Sequence, residues 1–324
     1  MSKKYQSVDQ QIKILKERNL GFKNEEDAKY RLTEFGYYEI ISENSSPFLI
    51  NNHYIDGTDF SHIYILFTFD HSIRLKVQES TSIFEILLRQ AVVQVWCEEF
   101  GSSQLKYLDR NNFRSPRLDQ RKLTRLIAKF SKIAFAEDKP LLNKERKERH
   151  NIYPWILVKF LDFGDLISWY QLLDPDMKTD IRRKTLSDKA FESLNNEDGK
   201  KLFSNMLQLS REFRNRAAHG GQIYSYMPEL SNERPIIAYN SYFHSKFNIS
   251  KKQYKKGFGR TGMWTLAALF SLLRYEIPYK TLSMHLHDFF RKYLDTFPPV
   301  NQYLNNKTFY FDTRITSEQT DLDV

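Results

Sequence analysis

The sequence predicts an all-α fold, a bundle of helices packed antiparallel. Apolar residues recur at spacings of three and four along most of the chain, the period of a helix that buries one face, and no long strand-type alternation interrupts them. Glycine and proline, which end helices, account for only 11 and 10 of the 324 residues. We therefore expect long helices joined by few turns.

The composition indicates a globular chain with a polyanionic partner. Hydrophobic residues make up 41% and aromatic residues 15%, enough for a packed core. The longest mainly apolar run, Met263–Leu273, is too short to span a bilayer, and Met1–Gln11 lacks the apolar centre of a signal peptide. We therefore expect a cytoplasmic protein without membrane contact. The formal net charge of +9 at pH 7 favours association with a polyanion.

The sequence predicts neither a cofactor nor a metal. The single cysteine, Cys97, excludes an internal disulfide and a cysteine-rich zinc site. His285 and His287 are two residues apart on a predicted helix, so their side chains diverge by about 200° and cannot share a metal. The chain contains no P-loop glycine motif and no Gly-x-Ser-x-Gly turn.

The first half of the chain predicts helices with clear ends. Two short helices are expected within residues 1–57. Thr58 or Asp59 then caps a helix that runs to about Gln78. The range Ser82–Glu85 reads as a capping box, in which serine and glutamate side chains satisfy backbone N–H groups, so a new helix is expected to begin there.

The second half predicts three further helices before an irregular region. They cover Arg110–Lys132, which is strongly basic, Pro154–Leu173 and Gly199–Ala218. A short strand is possible at Ile236–Tyr239. The expected organisation is an N-terminal helical segment (1–57), a central helical domain (58–226), a basic helical extension (227–316) and a disordered tail (317–324).

The helix over Gly199–Ala218 ends in the strongest candidate chemistry. Arg214 can bind phosphate oxygens with its planar guanidinium, and the imidazole of His219 can give or take a proton. Asn215 adds a polar group beside the arginine. These side chains suit metal-free cleavage of a phosphodiester, with the 2′-hydroxyl of RNA as the nucleophile. The alternative is a plain helix end, where His219 caps carbonyls and Arg214 is a solvated charge.

Two basic stretches predict contacts with RNA, because cations bind phosphates and aromatic rings stack on unpaired bases. In the first stretch the candidates are Arg114, Arg117, Arg121, Lys122 and Arg125. In the second they are Lys251, Lys252, Tyr254, Lys255, Lys256 and Arg260. The alternatives are a solvated helix face for the first and a mobile basic loop for the second.

Several stretches occur together in the order and spacing of a known family. Gln11–Leu20 is similar to its "QIxxLKxRGL" opening, Asp56–Arg74 to its "GTxFxxIxxLYxFDxxLR" element, and Arg214–Gly220 to "RNxCAHG", with Ala217 in place of cysteine. On these stretches the chain resembles the abortive-infection (Abi) proteins of bacteria, the Abi-2 family and its Abi-F branch. Further matching positions are Tyr37, Tyr38, Phe84, Glu85, Arg89, Trp155 and Phe163–Leu166.

The resemblance implies a HEPN-like antiparallel helical bundle with helical additions at both ends. HEPN domains carry an R-x4-6-H motif and often act as metal-independent ribonucleases, which would make Arg214 and His219 the catalytic pair. Arg74 and Arg89 would assist RNA binding, because the family has arginine at both places; each could equally belong to a partly buried ion pair. Abi-F proteins are phage-defence toxins associated with small non-coding RNAs, so RNA is the expected partner and DNA is not.

Helix geometry adds the requirement for a second copy of the chain. Residues five apart on an ideal helix point about 140° apart, so Arg214 and His219 of one chain do not converge. Cleavage also needs both a base and an acid. We therefore expect a homodimer whose twofold axis brings two of each side chain together. Two other functions remain open: an RNA-binding or RNA-sequestering module that cuts nothing, and a helical protein-interaction scaffold.

Overall fold

The computed structural model describes residues 5–114, 119–230, 234–296 and 301–314. Helices account for 69% of it and strands for 3%, so the predicted all-α fold class is confirmed. Two pairs of two-residue antiparallel strands, β1 (Leu49–Ile50) with β2 (His53–Tyr54) and β3 (Glu229–Leu230) with β4 (Arg234–Pro235), close hairpins between helices. The predicted disordered tail lies outside the described residues.

Sixteen α-helices lie within the described residues. In the N-terminal half they are α1 (Val8–Glu17), α2 (Glu25–Phe35), α3 (Phe60–Phe100), α4 (Gln104–Leu108), α5 (Gln120–Ala134), α6 (Pro140–Arg149), α7 (Pro154–Leu157) and α8 (Phe163–Gln171). In the C-terminal half they are α9 (Pro175–Thr185), α10 (Asp188–Ser193), α11 (Glu197–Ala218), α12 (Ser241–Lys246), α13 (Lys251–Lys255), α14 (Met263–Phe270), α15 (Ile277–Thr296) and α16 (Asn301–Thr308).

The 41-residue helix α3 is the element against which the others pack. The Asp59 side chain caps its start by accepting a hydrogen bond from the backbone N–H of Ser61 at 2.9 Å. Gly101, in the left-handed region at φ +76°, ends it. Helices α15, α11 and α9 lie along its length, and α7 and α8 cover its later turns. The predicted candidate site on α11 is therefore held directly against α3.

The prediction that a new helix begins at Ser82 is wrong, because α3 continues through this position. Ser82 is exposed in mid-helix, and the neighbouring Thr81 hydroxyl donates to the Val77 carbonyl at 2.6 Å rather than capping a new turn. The buried stripe of the first half continues unbroken into the second, which a local capping pattern cannot override. Its members across this region are Ile73, Val77, Thr81, Phe84 and Leu88.

Three other predicted boundaries differ from the structure. The basic helix begins only at Gln120, and Arg110–Asn112 forms a separate 3-10 turn. The helix predicted over Pro154–Leu173 is interrupted, because Asp162 adopts an extended conformation and caps the new helix α8. Ile236–Tyr239 forms no strand; the pairing strand, β4, ends one residue earlier.

One hydrophobic cluster connects the three predicted segments. It includes Ile12 from the first, the buried stripe of α3 from the second, and Leu286 of α15 from the third. Backbone bonding also joins the first two, since the Gly21 N–H donates to the Thr58 carbonyl at 2.9 Å. The boundaries at residues 57 and 226 stay a prediction. Among the described residues, no helix combines the length and apolar character needed to cross a bilayer.

The continuity of α3 gives a test at Ser82. Alanine is the better helix former, so Ser82→Ala should raise the free energy of unfolding by about 0.5 kcal/mol, measured by urea denaturation. The matched control is Asn24→Ala, because Asn24 is a true N-cap that accepts from the Asp27 N–H at 3.0 Å. That change should lower the free energy by about 1 kcal/mol. A similar loss from Ser82→Ala would contradict a continuous helix.

Candidate functional site

The arginine–histidine motif lies at the C-terminal end of α11. This helix begins at the Asn196 cap, whose side chain accepts from the Gly199 N–H at 2.8 Å. His219 is the residue that ends the helix; its backbone N–H donates to the Asn215 carbonyl at 3.1 Å and its side chain is exposed. Gly220 then turns the chain in the left-handed region, at φ +76°.

Arg214 lies one turn and a half earlier, on the side of α11 that faces α3. Its Nε is 3.8 Å from a carboxylate oxygen of Glu85, and its terminal nitrogen donates to the Asn215 side chain at 3.4 Å. Glu85 is buried and also accepts a hydrogen bond from Arg89, which in turn donates to the Leu161 carbonyl at 3.0 Å. One buried carboxylate therefore positions two guanidiniums.

A groove of about 410 Å³ opens beside Arg214. Burial opposes ionisation of Asp162 in its wall, but the N–H of Asp165 and the charge of Lys129 outweigh burial and lower the pKa of that carboxyl. The groove therefore contains both cations, which can bind phosphate, and hydrogen-bond acceptors. Its lining residues are Asp162, Phe163, Gly164, Arg211, Glu212, Arg214 and Asn215.

The loop after His219 is fixed by a second buried carboxylate on α3, that of Asp70. One oxygen of this carboxylate accepts from the backbone N–H groups of Ile223, at 2.7 Å, and Tyr224, at 2.8 Å. The other accepts from Arg74 at 3.1 Å. Burial raises the pKa of the Asp70 carboxyl, and these donors counteract only part of the shift. The loop's backbone is held while the His219 side chain stays in solvent.

The two carboxylates hold α11 and the loop after it at two separate points along α3. Asp70 and Glu85 are fifteen residues apart, about 22 Å at the rise of an α-helix. The loop after α11 reaches the first and Arg214 reaches the second, so α11 runs antiparallel to α3. Arg214 and Asn215 line the groove, and His219 lies beyond it. One chain thus brings Arg214 and Arg89 to the carboxylate of Glu85 and Asn215 to the groove, whereas His219 is exposed at the helix end and does not line the groove.

Arg74 and Arg89 are half-buried members of ion pairs. Each pairs with the acid one turn before it on α3, Asp70 and Glu85 respectively. Arg74 also lies close to the motif, since a Cβ placed on Gly220 would be 3.7 Å from its guanidinium. This is the ion-pair geometry that the sequence left open. Contact of either arginine with RNA stays a prediction.

The first predicted RNA-binding stretch divides into exposed and engaged residues. Arg114, Arg121 and Arg125 are exposed. Lys122 is engaged, 3.3 Å from the Asp119 carboxylate and donating to Gln171 at 3.0 Å. Arg117 lies outside the described residues. The exposed arginines of α5 lie opposite its buried face, which packs against α4, α7 and α8.

The second predicted stretch folds into the short helix α13 and the turn after it. Lys251, Lys252, Lys255 and Lys256 are exposed. Tyr254 is half-buried: its hydroxyl donates to the Ile237 carbonyl at 3.0 Å, and its ring packs edge-on against Tyr239. Arg260 lies 5.7 Å from the centre of the Tyr254 ring. The lysines are available to an anionic partner, whereas the tyrosine is held by its own neighbours.

Sequence reasoning missed the two carboxylates on which this arrangement depends. Asp70 and Glu85 each precede an arginine by four residues on α3, and this spacing is readable from sequence as a helical ion pair. Their further partners, the loop backbone and Arg214, lie more than a hundred residues away and are not readable. Within the part of the chain that the structure describes, no three His, Cys, Asp or Glu side chains are grouped to hold a metal ion.

Fold and site together define a basic helical protein with an arginine–histidine motif at a helix end. A model of the Abi-like protein family, Abi_2, matches residues 30–225, which is more than half of the chain, and the chain belongs to this family. Membership suggests a role in abortive-infection phage defence. No curated protein and no solved structure matches the chain. The Abi-F branch and the HEPN class stay predictions.

The anchoring role of Asp70 can be tested by replacing its carboxylate with the amide of asparagine. In Asp70→Asn, the amide oxygen can still accept from the N–H groups of the loop. The amide nitrogen then faces Arg74 and cannot accept a hydrogen bond from it, so a half-buried cation is left unpaired. We expect the free energy of unfolding to fall by about 3 kcal/mol in urea denaturation. Glu79→Gln is the control: Glu79 is an exposed acid of the same helix, paired with Lys76, and its loss should cost less than about 0.5 kcal/mol. Equal effects would show that Asp70 anchors nothing.

Proposed function

We propose that this Abi-like protein is a phage-defence toxin and a metal-independent endoribonuclease of the HEPN type. The observation that carries the proposal is the pairing of a positioned guanidinium, Arg214, beside a groove with an exposed imidazole, His219, at the end of the same helix. The first suits the phosphate and the second suits proton transfer. His219 does not line the groove beside Arg214, and this supports a site composed of two chains.

The proposed reaction needs only groups that two chains supply. The imidazole of one His219 takes the proton from the ribose 2′-hydroxyl, and the 2′-oxygen forms a bond to phosphorus. The bond from phosphorus to the 5′-oxygen breaks, and the protonated imidazole of the partner copy gives that oxygen its proton. The guanidiniums of Arg214 stabilise the charge on the phosphate oxygens. The products are a 2′,3′-cyclic phosphate and a 5′-hydroxyl.

Glu85 would act as a positioning residue in this mechanism. A buried carboxylate that bonds Arg89 and contacts Arg214 restricts the rotamers of both long side chains before RNA arrives. Restricting them in advance lowers the entropic cost of clamping a phosphate. Asn215, which accepts from Arg214 at 3.4 Å, would add a hydrogen-bonding group for the ribose or phosphate.

A second candidate is an RNA-binding or RNA-sequestering protein that cuts nothing. The specific observation in its favour is the Arg214–Glu85 contact at 3.8 Å, because an arginine partly neutralised by an acid is a normal structural ion pair. The exposed cations of α5 and α13 suit this function equally well. Binding without turnover, unaffected by a change at His219, would favour it.

Replacing either motif residue should abolish cleavage without unfolding the chain. For Arg214→Ala and for His219→Ala we expect RNA cleavage to fall at least about 100-fold, while circular dichroism and RNA binding are retained. The control is Arg211→Ala, which removes a neighbouring groove cation outside the motif and should leave more activity. A chelator should have no effect. Activity abolished by chelation and restored by one divalent metal would overturn the mechanism.

Mixing wild-type and His219→Ala chains tests whether the site is shared. If each active site needs an imidazole from both copies, activity after subunit exchange should follow the square of the wild-type fraction. An equal mixture would then retain about a quarter of the activity. A linear fall, to about half, would show that one chain suffices. The measurement is single-turnover cleavage at constant total protein.

The positive charge away from the motif supports regulation by a bound RNA. We propose that a structured small RNA lies across the exposed cations of α5 and α13 and blocks either the composite site or dimer closure. The protein purified from its native locus should then retain a defined RNA and cleave more slowly than the stripped protein. Equal rates for the two forms would refute this regulation without touching the nuclease proposal.

A further inference from the structure

A column of stacked planar groups lies on a different part of the surface. The rings of Tyr153 and Trp155 are parallel to within 6° and their centroids are 4.5 Å apart. The guanidinium of Arg149 lies over the Tyr153 ring, 6.0 Å from its centroid. These three residues form the stacking column. None of them lines the groove beside Arg214, so the column is separate from the site above.

The local sequence makes the column rigid. Arg149 is the last residue of α6, and His150 then turns the chain in the left-handed region, at φ +52°. Tyr153 is extended and precedes Pro154, the first residue of α7. Proline fixes its own backbone angle and restricts the residue before it. The two rings therefore lie on either side of one rigid proline, Pro154, and their stacking costs little further conformational entropy.

Trp155 is far more exposed than the other tryptophans of the chain. It keeps 43% of its surface accessible, whereas Trp96, Trp169 and Trp264 are at most 1% exposed. Tyr153 covers one face of the indole. The accessible 43% of Trp155 leaves aromatic surface for a further planar group, and stacking is the contact that exposed aromatic surface makes best.

The exposed cation of the column is Arg149, whose side chain is 56% accessible. Glu145 pairs with Arg149 at 3.4 Å and offsets part of its charge. Lys144, Lys147 and Glu148 are also exposed on α6, but the two lysines lie five and two residues before Arg149 and so project from other sides of the helix. An exposed cation beside stacked, accessible aromatic rings is a combination by which proteins hold single-stranded nucleic acid.

We propose that the stacking column binds an unpaired base of RNA. The base stacks on the accessible indole surface of Trp155, and the guanidinium of Arg149 contacts a neighbouring phosphate. The inference rests on RNA as the partner in the proposed function, but it does not depend on cleavage. It adds a site selective for single-stranded over duplex RNA, because paired bases cannot present a free face.

Tryptophan fluorescence tests the column directly, because Trp155 is the exposed one of the four tryptophans. In the His219→Ala protein, quenching by acrylamide should report mainly on Trp155, and a short single-stranded oligouridylate should reduce it. Trp155→Ala should weaken binding of that RNA about ten-fold. Trp155→Phe, which keeps a stacking ring, should retain most of the affinity. Binding of an RNA duplex of equal length should be unchanged in both variants.

The matched control is Tyr275→Ala, which removes another exposed aromatic residue, 51% accessible, that lies outside the stacking column. It should leave single-strand binding unchanged. Unaltered binding by Trp155→Ala, with RNA giving no protection from acrylamide, would overturn the proposal. The nuclease is scored separately by cleavage with the wild-type protein. If RNA protects Trp155 from acrylamide but is never cut, the proposed base-stacking site is supported and the proposed nuclease activity is refuted.

Discussion

The arrangement at the candidate site depends on two buried carboxylates of one helix. Asp70 fixes the backbone of the loop that follows His219, and Glu85 holds the guanidiniums of Arg89 and Arg214. A buried charge is costly unless it is paired and hydrogen-bonded, so each acid constrains every group that satisfies it. The continuity of α3 sets the distance between the two acids. The positions of arginine and histidine in the motif thus follow from α3 as much as from α11.

Much of this fold could be predicted from the sequence because local apolar spacing and capping residues indicate where its helices begin and end. The apolar spacing on α11 and the glycines after His219 predict a helix that ends at the motif, and the structure places the end there. The prediction that a helix begins at Ser82 is wrong for a physical reason. A capping box is a local signal, but the buried stripe on either side of Ser82 has one uninterrupted period, and tertiary burial outweighs a cap.

The contacts that shape the site were not predictable in the same way. Asp70 and Arg74 could be paired from their spacing, but the bonds from Asp70 to Ile223 and Tyr224 join residues more than 150 positions apart. No periodicity encodes such a contact. The same holds for Arg214 and Glu85. Sequence could therefore name the chemically capable residues, while their relative placement depended on how α11 packs across α3.

Counting charges explains why a second copy would complete such a site. Each chain contributes two guanidiniums, Arg89 and Arg214, and the carboxylate of Glu85, a net single positive charge. A phosphodiester carries one negative charge, and a second develops as the deprotonated 2′-oxygen attacks. One proposed half-site balances the charge of the substrate alone, whereas a second half-site with its protonated imidazole would supply the further positive charge that the transition state needs. Because stabilisation that grows along the reaction is what accelerates it, an acid that holds Arg214 would make the proposed composite site more selective for the reacting phosphate than a lone arginine would be.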